Sequence, residues 1–231
     1  MSSPKAKEKL AIEAVAKHLS AKWETGDAFA DAYLTAAGKR IAVSMAVLRH
    51  RSVAQPNPAK FGLRFDRVAT KVIERVKANL GETVPKGMTV VLTITAPILL
   101  PSKTITALQD KIKLFLRQKS RVRDDKHTVY GNRIRIRLLR DKSGRAPKMI
   151  GFVHNPDSDS LLLINMTREF LERISTLPSR SANDRWLVLI SPAKASLLEA
   201  YRAIDSQVRK TNDFEKTLMV FGDGRVGTLG R

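Results

Sequence analysis

Apolar residues in "KEKLAIEAVAKHLSAKW" recur every three or four positions. Ile12, Val15, Leu19 and Trp23 share one side, so the spacing predicts an amphipathic helix. "AFADAYLTAAGKRIAVSMAVL" then reads as two strands joined by a short turn at Gly38. "RHRSVAQPNPAKFG" holds two prolines and little apolar content, and reads as a loop. A second helix follows in "LRFDRVATKVIERVKANLG", with Phe65, Val68, Val72 and Val76 as its apolar stripe and Gly81 as its stop. The β-branched run "MTVVLTITA" predicts a buried strand. Ser102 is a candidate cap for a third helix that turns Ile105, Leu108, Ile112 and Phe115 inward.

The second half changes character. "NRIRIRLLR", "KMIGFVHN" and "LLLINM" read as three strands, separated by the turn signals "DKSGRAP" and "PDSDS". "TREFLERI" predicts a short helix capped by Thr167. "RWLVLI" is a further buried strand, and "SPAKASLLEAYRAID" a helix with Ser191 as cap and Pro192 in first position. "TLMVF", "GDGR" and "VGTL" make a hairpin on an Asp-Gly turn. The expected fold is α/β in the mixed α+β sense: a central mixed sheet flanked by helices, with an antiparallel meander in the second half. The polar stretch "RQKSRVRDDKH" suggests two regions, 1–118 and 119–231, packed as one compact unit.

Charge sharpens this outline. The chain carries 42 Lys and Arg against 22 Asp and Glu, a net +20. A field of that sign attracts polyanions, with nucleic acid the first partner to consider. The cations are also clustered, with 14 Lys and Arg against 3 Asp between Lys111 and Lys148. A phosphate backbone needs several cations on one contact surface. In "RIRIRLLR" strand alternation sends Ile134, Ile136 and Leu138 to one face and Arg133, Arg135 and Arg137 to the other. Lys119, Arg121 and Arg123 precede them. Arg64, Arg67, Lys71 and Arg75 share one side of the second helix, where like charges oppose one another until a polyanion arrives. Either row could instead be a solvated face paired with local acids. Aromatic residues near these patches are few, so backbone contact with duplex DNA is favoured over base stacking.

Absent residues narrow the chemistry. Without cysteine there is no disulfide, thiolate zinc site or cysteine nucleophile. That suits a reducing compartment, and no secretory signal is visible, so a cytoplasmic location is expected. The longest apolar stretch is too short and too interrupted to span a bilayer, so no membrane partner is expected. His154, Asp157 and Asp159 in "HNPDSDS" have the donor types for a metal, but the same residues are ordinary turn formers. No serine-hydrolase elbow or nucleotide loop is present.

The order of a helix, a strand bearing Asp31, a turn, a strand over residues 40–48 and a basic helix resembles the PD-(D/E)XK nuclease superfamily over roughly residues 8–80. That family holds magnesium with an acid on one strand and an acid-x-Lys step on the next. Asp31 matches the first acid and metal ligand, and Glu13 the auxiliary helix acid. The acid-x-Lys step falls on Ser44, Met45 and Ala46, which cannot bind a hard cation or position hydroxide. The family also has a strand before the Asp-bearing one, where only "TGDA" is recognisable. The resemblance implies a restriction-endonuclease-like core kept for binding, with no cofactor. Alternatively it implies a magnesium-dependent nuclease whose ligands have migrated, with Lys71 and Glu74 as substitutes. A third expectation is a structural or interaction protein that binds an acidic partner.

Overall fold

The computed structural model describes residues 5–48, 66–117, 124–140, 144–156, 160–177, 185–193, 195–208 and 214–230. The fold is mixed α+β, with two mixed sheets in two compact units. The first unit is Met1–Gln55 with Glu169–Arg231, and the second is Pro56–Arg168. Sheet pairing in the second unit runs across residue 118, where the sequence suggests a boundary.

The first unit opens with α1 (Ala6–His18), which buries Ile12 and Val15. The helix ends before Trp23, because Lys22–Thr25 forms strand β1. β1 pairs antiparallel with β2 (Ala32–Ala36), and β2 with β3 (Lys39–Val47). Ala37 and Gly38 both have positive φ, at 50° and 76°, which a two-residue turn between right-twisted strands demands. β3 then pairs parallel with β8 (Arg185–Ile190), and β8 with β9 (Lys216–Val220). β9 closes the sheet antiparallel with β10 (Val226–Gly230) through the Asp223-Gly224 turn. β8 sits centrally, with Leu187, Val188 and Leu189 fully buried, as an unbroken apolar run requires when both faces are covered. α1 packs on the side that presents Leu34, Ile41, Val43 and Met45. α5 (Leu198–Val208) follows a short 3-10 turn and lies along β10, where Gly227 leaves room for Leu198. The Ser191 hydroxyl accepts from the Ala193 amide at 3.2 Å, but the α-helix starts only at Leu198, later than the sequence suggests.

The second unit carries α2 (Arg67–Leu80), β4 (Met88–Thr95), α3 (Pro101–Arg117), β5 (Asp124–Val129), β6 (Asn132–Arg140), β7 (Met149–His154) and the start of α4 (Ser160–Thr176). The sheet order is β5-β6-β4-β7, with β7 parallel to β4 and the rest antiparallel. Asp66 caps α2 by accepting the Ala69 amide at 2.9 Å. α2 buries Ala69, Val72, Ile73, Val76 and Leu80, while Val68 faces out at 48% exposure, so the stripe is offset from the predicted one. These residues join α3 and one sheet face (Val90, Leu92, Ile94, Ile134, Ile136, Leu138) in a single core. Gly151 lets α2 press close, since a Cβ there would stand 2.1 Å from Ile73 Cγ2.

Two sequence expectations fail here. "LLLINM" is the first part of α4, not a strand: Leu162, Leu163, Met166 and Phe170 are buried at helical spacing and join it to "TREFLERI". Thr167 is therefore interior to the helix, its hydroxyl donating to the Leu163 carbonyl at 2.8 Å instead of capping. β5 was hidden by its polar composition. It is an edge strand whose partner β6 supplies the apolar residues.

Candidate functional site: a basic cleft at one end of the second sheet

Register places the β6 arginines. Strand alternation gives the face opposite α2 and α3 to Arg133, Arg135 and Arg137. Thr128 lies opposite Arg133, Lys126 opposite Arg135, and Asp124 opposite Arg137. On the far side, β4 and β7 set Thr93 beside Phe152 and Thr95 beside His154. The end of this face, at the carboxyl ends of the parallel strands β4 and β7, forms a cleft of about 330 Å³. Its lining includes Thr95, Lys126, Thr128, Arg133, Arg135 and His154.

β5 begins with two acids, neither of which lines the cleft, and both are engaged. Asp124 accepts from Arg135 twice, at Nε (2.7 Å) and Nη2 (2.6 Å), and lies 3.7 Å from Arg137 Nη1. The Arg135 hydrogen bonds hold the Asp124 carboxyl below its ordinary value. Arg137 also donates to Asn165 Oδ1 on α4 at 3.3 Å, and burial lowers its affinity for its proton. Asp125 pairs with His127 Nε2 at 3.0 Å. Among the described residues no carboxylate forms an ion pair with Lys126 or Arg133, and both are exposed. The arginine row is thus divided: Arg135 and Arg137 are largely satisfied internally, while Arg133 is not.

His154 and Thr95 are each only 8% exposed. The imidazole Nδ1 lies 2.8 Å from the Asn155 carbonyl, so it carries a proton and donates. In the neutral ring Nε2 then accepts from the Thr95 hydroxyl, 3.3 Å away. One rung further in, the Thr93 hydroxyl is buried and has no hydrogen-bond partner among the described residues.

The second row lies elsewhere. Arg67, Lys71, Glu74 and Arg75 are exposed on the outer side of α2, so the sheet separates them from the β6 arginines. Arg64, Lys119, Arg121 and Arg123 fall outside the described residues, as do Asp157 and Asp159.

The residues weighed for nuclease chemistry divide between the units. Lys71 and Glu74 belong to the second, Glu13 and Asp31 to the first. β1 supplies the strand before Asp31 that the sequence does not reveal. Asp31 sits at the end of a tight loop that requires Gly26, where a Cβ would meet the Ala30 carbonyl oxygen at 1.9 Å. Inside that loop the Asp27 carboxylate accepts from the Phe29 amide and the Tyr33 hydroxyl, which hold its pKa low. Asp31 itself is exposed, and its Oδ2 accepts the Met45 amide at 2.7 Å. Glu13 is an exposed position on α1, which covers the Val43 and Met45 side of β3. Ser44 and Ala46 point to the opposite side. Ser44 is buried there and accepts two hydrogen bonds from Arg185, at Nε (3.1 Å) and Nη2 (2.7 Å). Among the described residues no three His, Asp or Glu side chains gather as a metal site would need. No helix among them is long and apolar enough to cross a membrane.

No family model, curated protein or solved structure matches the chain.

Proposed function

We propose that the protein binds nucleic acid through its phosphates, without cleaving it, and that the second unit carries the contact. The observation behind this reading is the distribution of charge. Residues 56–168 hold 23 Lys and Arg against 9 Asp and Glu, a net +14 of the chain's +20. Such an excess cannot be neutralised from within the unit, and releasing condensed counterions from a polyanion is the favourable way to cover it. The exposed Arg67, Lys71 and Arg75 on α2 and the Lys126–Arg133 end of the sheet are the two contact surfaces. Within this reading the first unit is a PD-(D/E)XK-like core retained for its fold. What supports that is the succession α1, β1, β2, β3 with Asp31 hydrogen-bonded to β3, and a buried Ser44–Arg185 contact where a metal site would need a carboxylate.

The test is a fluorescence-anisotropy titration of a labelled 20-base-pair duplex at several salt concentrations. The expected slope of log K against log salt corresponds to several phosphate contacts, at about −0.9 per contact. Arg67→Glu/Lys71→Glu/Arg75→Glu and Lys126→Glu/Arg133→Glu should each make that slope shallower. Salt-independent binding, or none, refutes the reading. Metal-dependent cleavage of the duplex would refute its non-catalytic part.

A further inference from the structure

Resting on the nucleic-acid reading, we infer that the cleft at the carboxyl ends of β4 and β7 is a site for a phosphate monoester, the terminal phosphate of a strand or of a free nucleotide.

The cleft is concave and its groups converge. Thr128 and Arg133 face each other across one strand pair, and Lys126 and Arg135 across the next rung. Like charges directly opposite one another in a sheet destabilise it. Asp124 relieves this on the Arg135 side only, through its two hydrogen bonds. Among the described residues no carboxylate forms an ion pair with Lys126 or Arg133. The far wall is built and nine-tenths buried: Thr95 and His154 hold each other, and Asn155 holds the ring.

The ligand class follows from charge and shape. A monoester carries close to two negative charges at neutral pH and three terminal oxygens. Lys126, Arg133 and the Thr128 hydroxyl can address those oxygens from one side, and the buried Thr95–His154 pair forms the polar wall behind them. A diester offers two unshared oxygens and one charge, and its chain must leave in both directions. The volume, about 330 Å³, is at the small end for ligand sites. Among the described residues no Phe, Tyr or Trp lines it, so a base finds no large ring to stack on there. A chain end fits these demands better than a chain middle.

The experiment compares one single-stranded 12-mer with a 5′-phosphate, a 3′-phosphate or only hydroxyl ends, alongside adenosine monophosphate. A terminal phosphate should tighten binding at least fivefold. Arg133→Ala and Lys126→Ala should abolish that difference, with the phosphorylated strand losing at least fivefold more affinity than the hydroxyl-ended one. Arg67→Ala/Lys71→Ala/Arg75→Ala should weaken all strands alike and keep the difference. If the mononucleotide binds as tightly as the phosphorylated strand and loses affinity in the same two variants, the site is supported with a free nucleotide as its ligand. If the strand binds much tighter, a strand end is the ligand. Equal affinity for phosphorylated and hydroxyl ends overturns the inference yet leaves the backbone reading intact, whereas no binding of any strand overturns the reading itself. A titration with inorganic phosphate, followed by amide NMR shifts at Thr95, Thr128 and Arg133, gives an independent readout. Shifts confined to other regions also overturn the inference.

Discussion

Replacing Asp124 by Asn should make the protein less stable and a better ligand for polyanions at once. The carboxylate accepts two short hydrogen bonds from Arg135 and lies near Arg137. Its side chain is 28% exposed and that of Arg135 11%, so the pair is only partly screened. Asparagine keeps one acceptor oxygen but loses the charge. Charge-assisted hydrogen bonds are about twice as strong as neutral ones, and the net loss should be about 1–2 kcal/mol. The same change removes one negative charge near the cleft. At roughly 7 Å and an effective dielectric constant of about 40, this is worth on the order of 1 kcal/mol, or about fivefold in affinity for an anion.

Urea denaturation and anisotropy titration of the same preparation measure both effects. The pH dependence gives a third check. The folded carboxyl has a lowered pKa, so the pair's contribution is present above the unfolded value near 4 and is lost as pH falls through the folded one. Asp124→Asn should lose stability at pH 7 and converge with the wild type toward pH 2. A variant as stable as the wild type at pH 7 would show that the pair contributes nothing. A variant that binds anions more weakly would show that Asp124 does not compete with them.

Three further outcomes follow from packing and buried polar groups. Gly151→Ala should cost about 1–3 kcal/mol by thermal or urea denaturation, because its Cβ would stand 2.1 Å from Ile73 Cγ2; a second substitution, Ile73→Ala, should cost less in that background than alone. Thr93→Val removes a buried hydroxyl with no partner among the described residues, so it should leave stability unchanged or raise it by up to about 1–2 kcal/mol, and a clear loss would mean the hydroxyl is satisfied. Ser44→Ala deprives the buried Arg185 of two hydrogen bonds and should cost about 1–3 kcal/mol, with added magnesium giving no recovery of stability.

Most elements were legible because their apolar periodicity matched their burial. "MTVVLTIT" is buried along nearly its whole length as β4, and the Asp223-Gly224 turn closes its hairpin as its residue types require. The failures share a cause. "LLLINM" has a single polar residue, Asn165, and one position cannot reveal whether the period is 2 or 3.6; only the longer segment through Phe170 settles it as helix. "DDKHTV" and "KWET" carry almost no apolar signal, since each is an edge strand defined by the neighbour it pairs with. The cleft was half legible. The arginine row of β6 follows from alternation, but Lys126 and Thr128 join it only through a register that composition does not encode.

That register also changes what the basic cluster means. Counting charge along the chain treats Arg133, Arg135 and Arg137 as equivalent. In the sheet they are not, because Asp124 two strand positions from Lys126 takes up Arg135 and approaches Arg137 while leaving Arg133 at the open end. A row of three equal cations would track a backbone without preference for its ends. A row satisfied at one end and open at the other concentrates its attraction where Lys126, Arg133 and the Thr95–His154 pair meet. The acids of this unit therefore do more than reduce its charge. By occupying some arginines and not others, they set where along the face the proposed anion would be held.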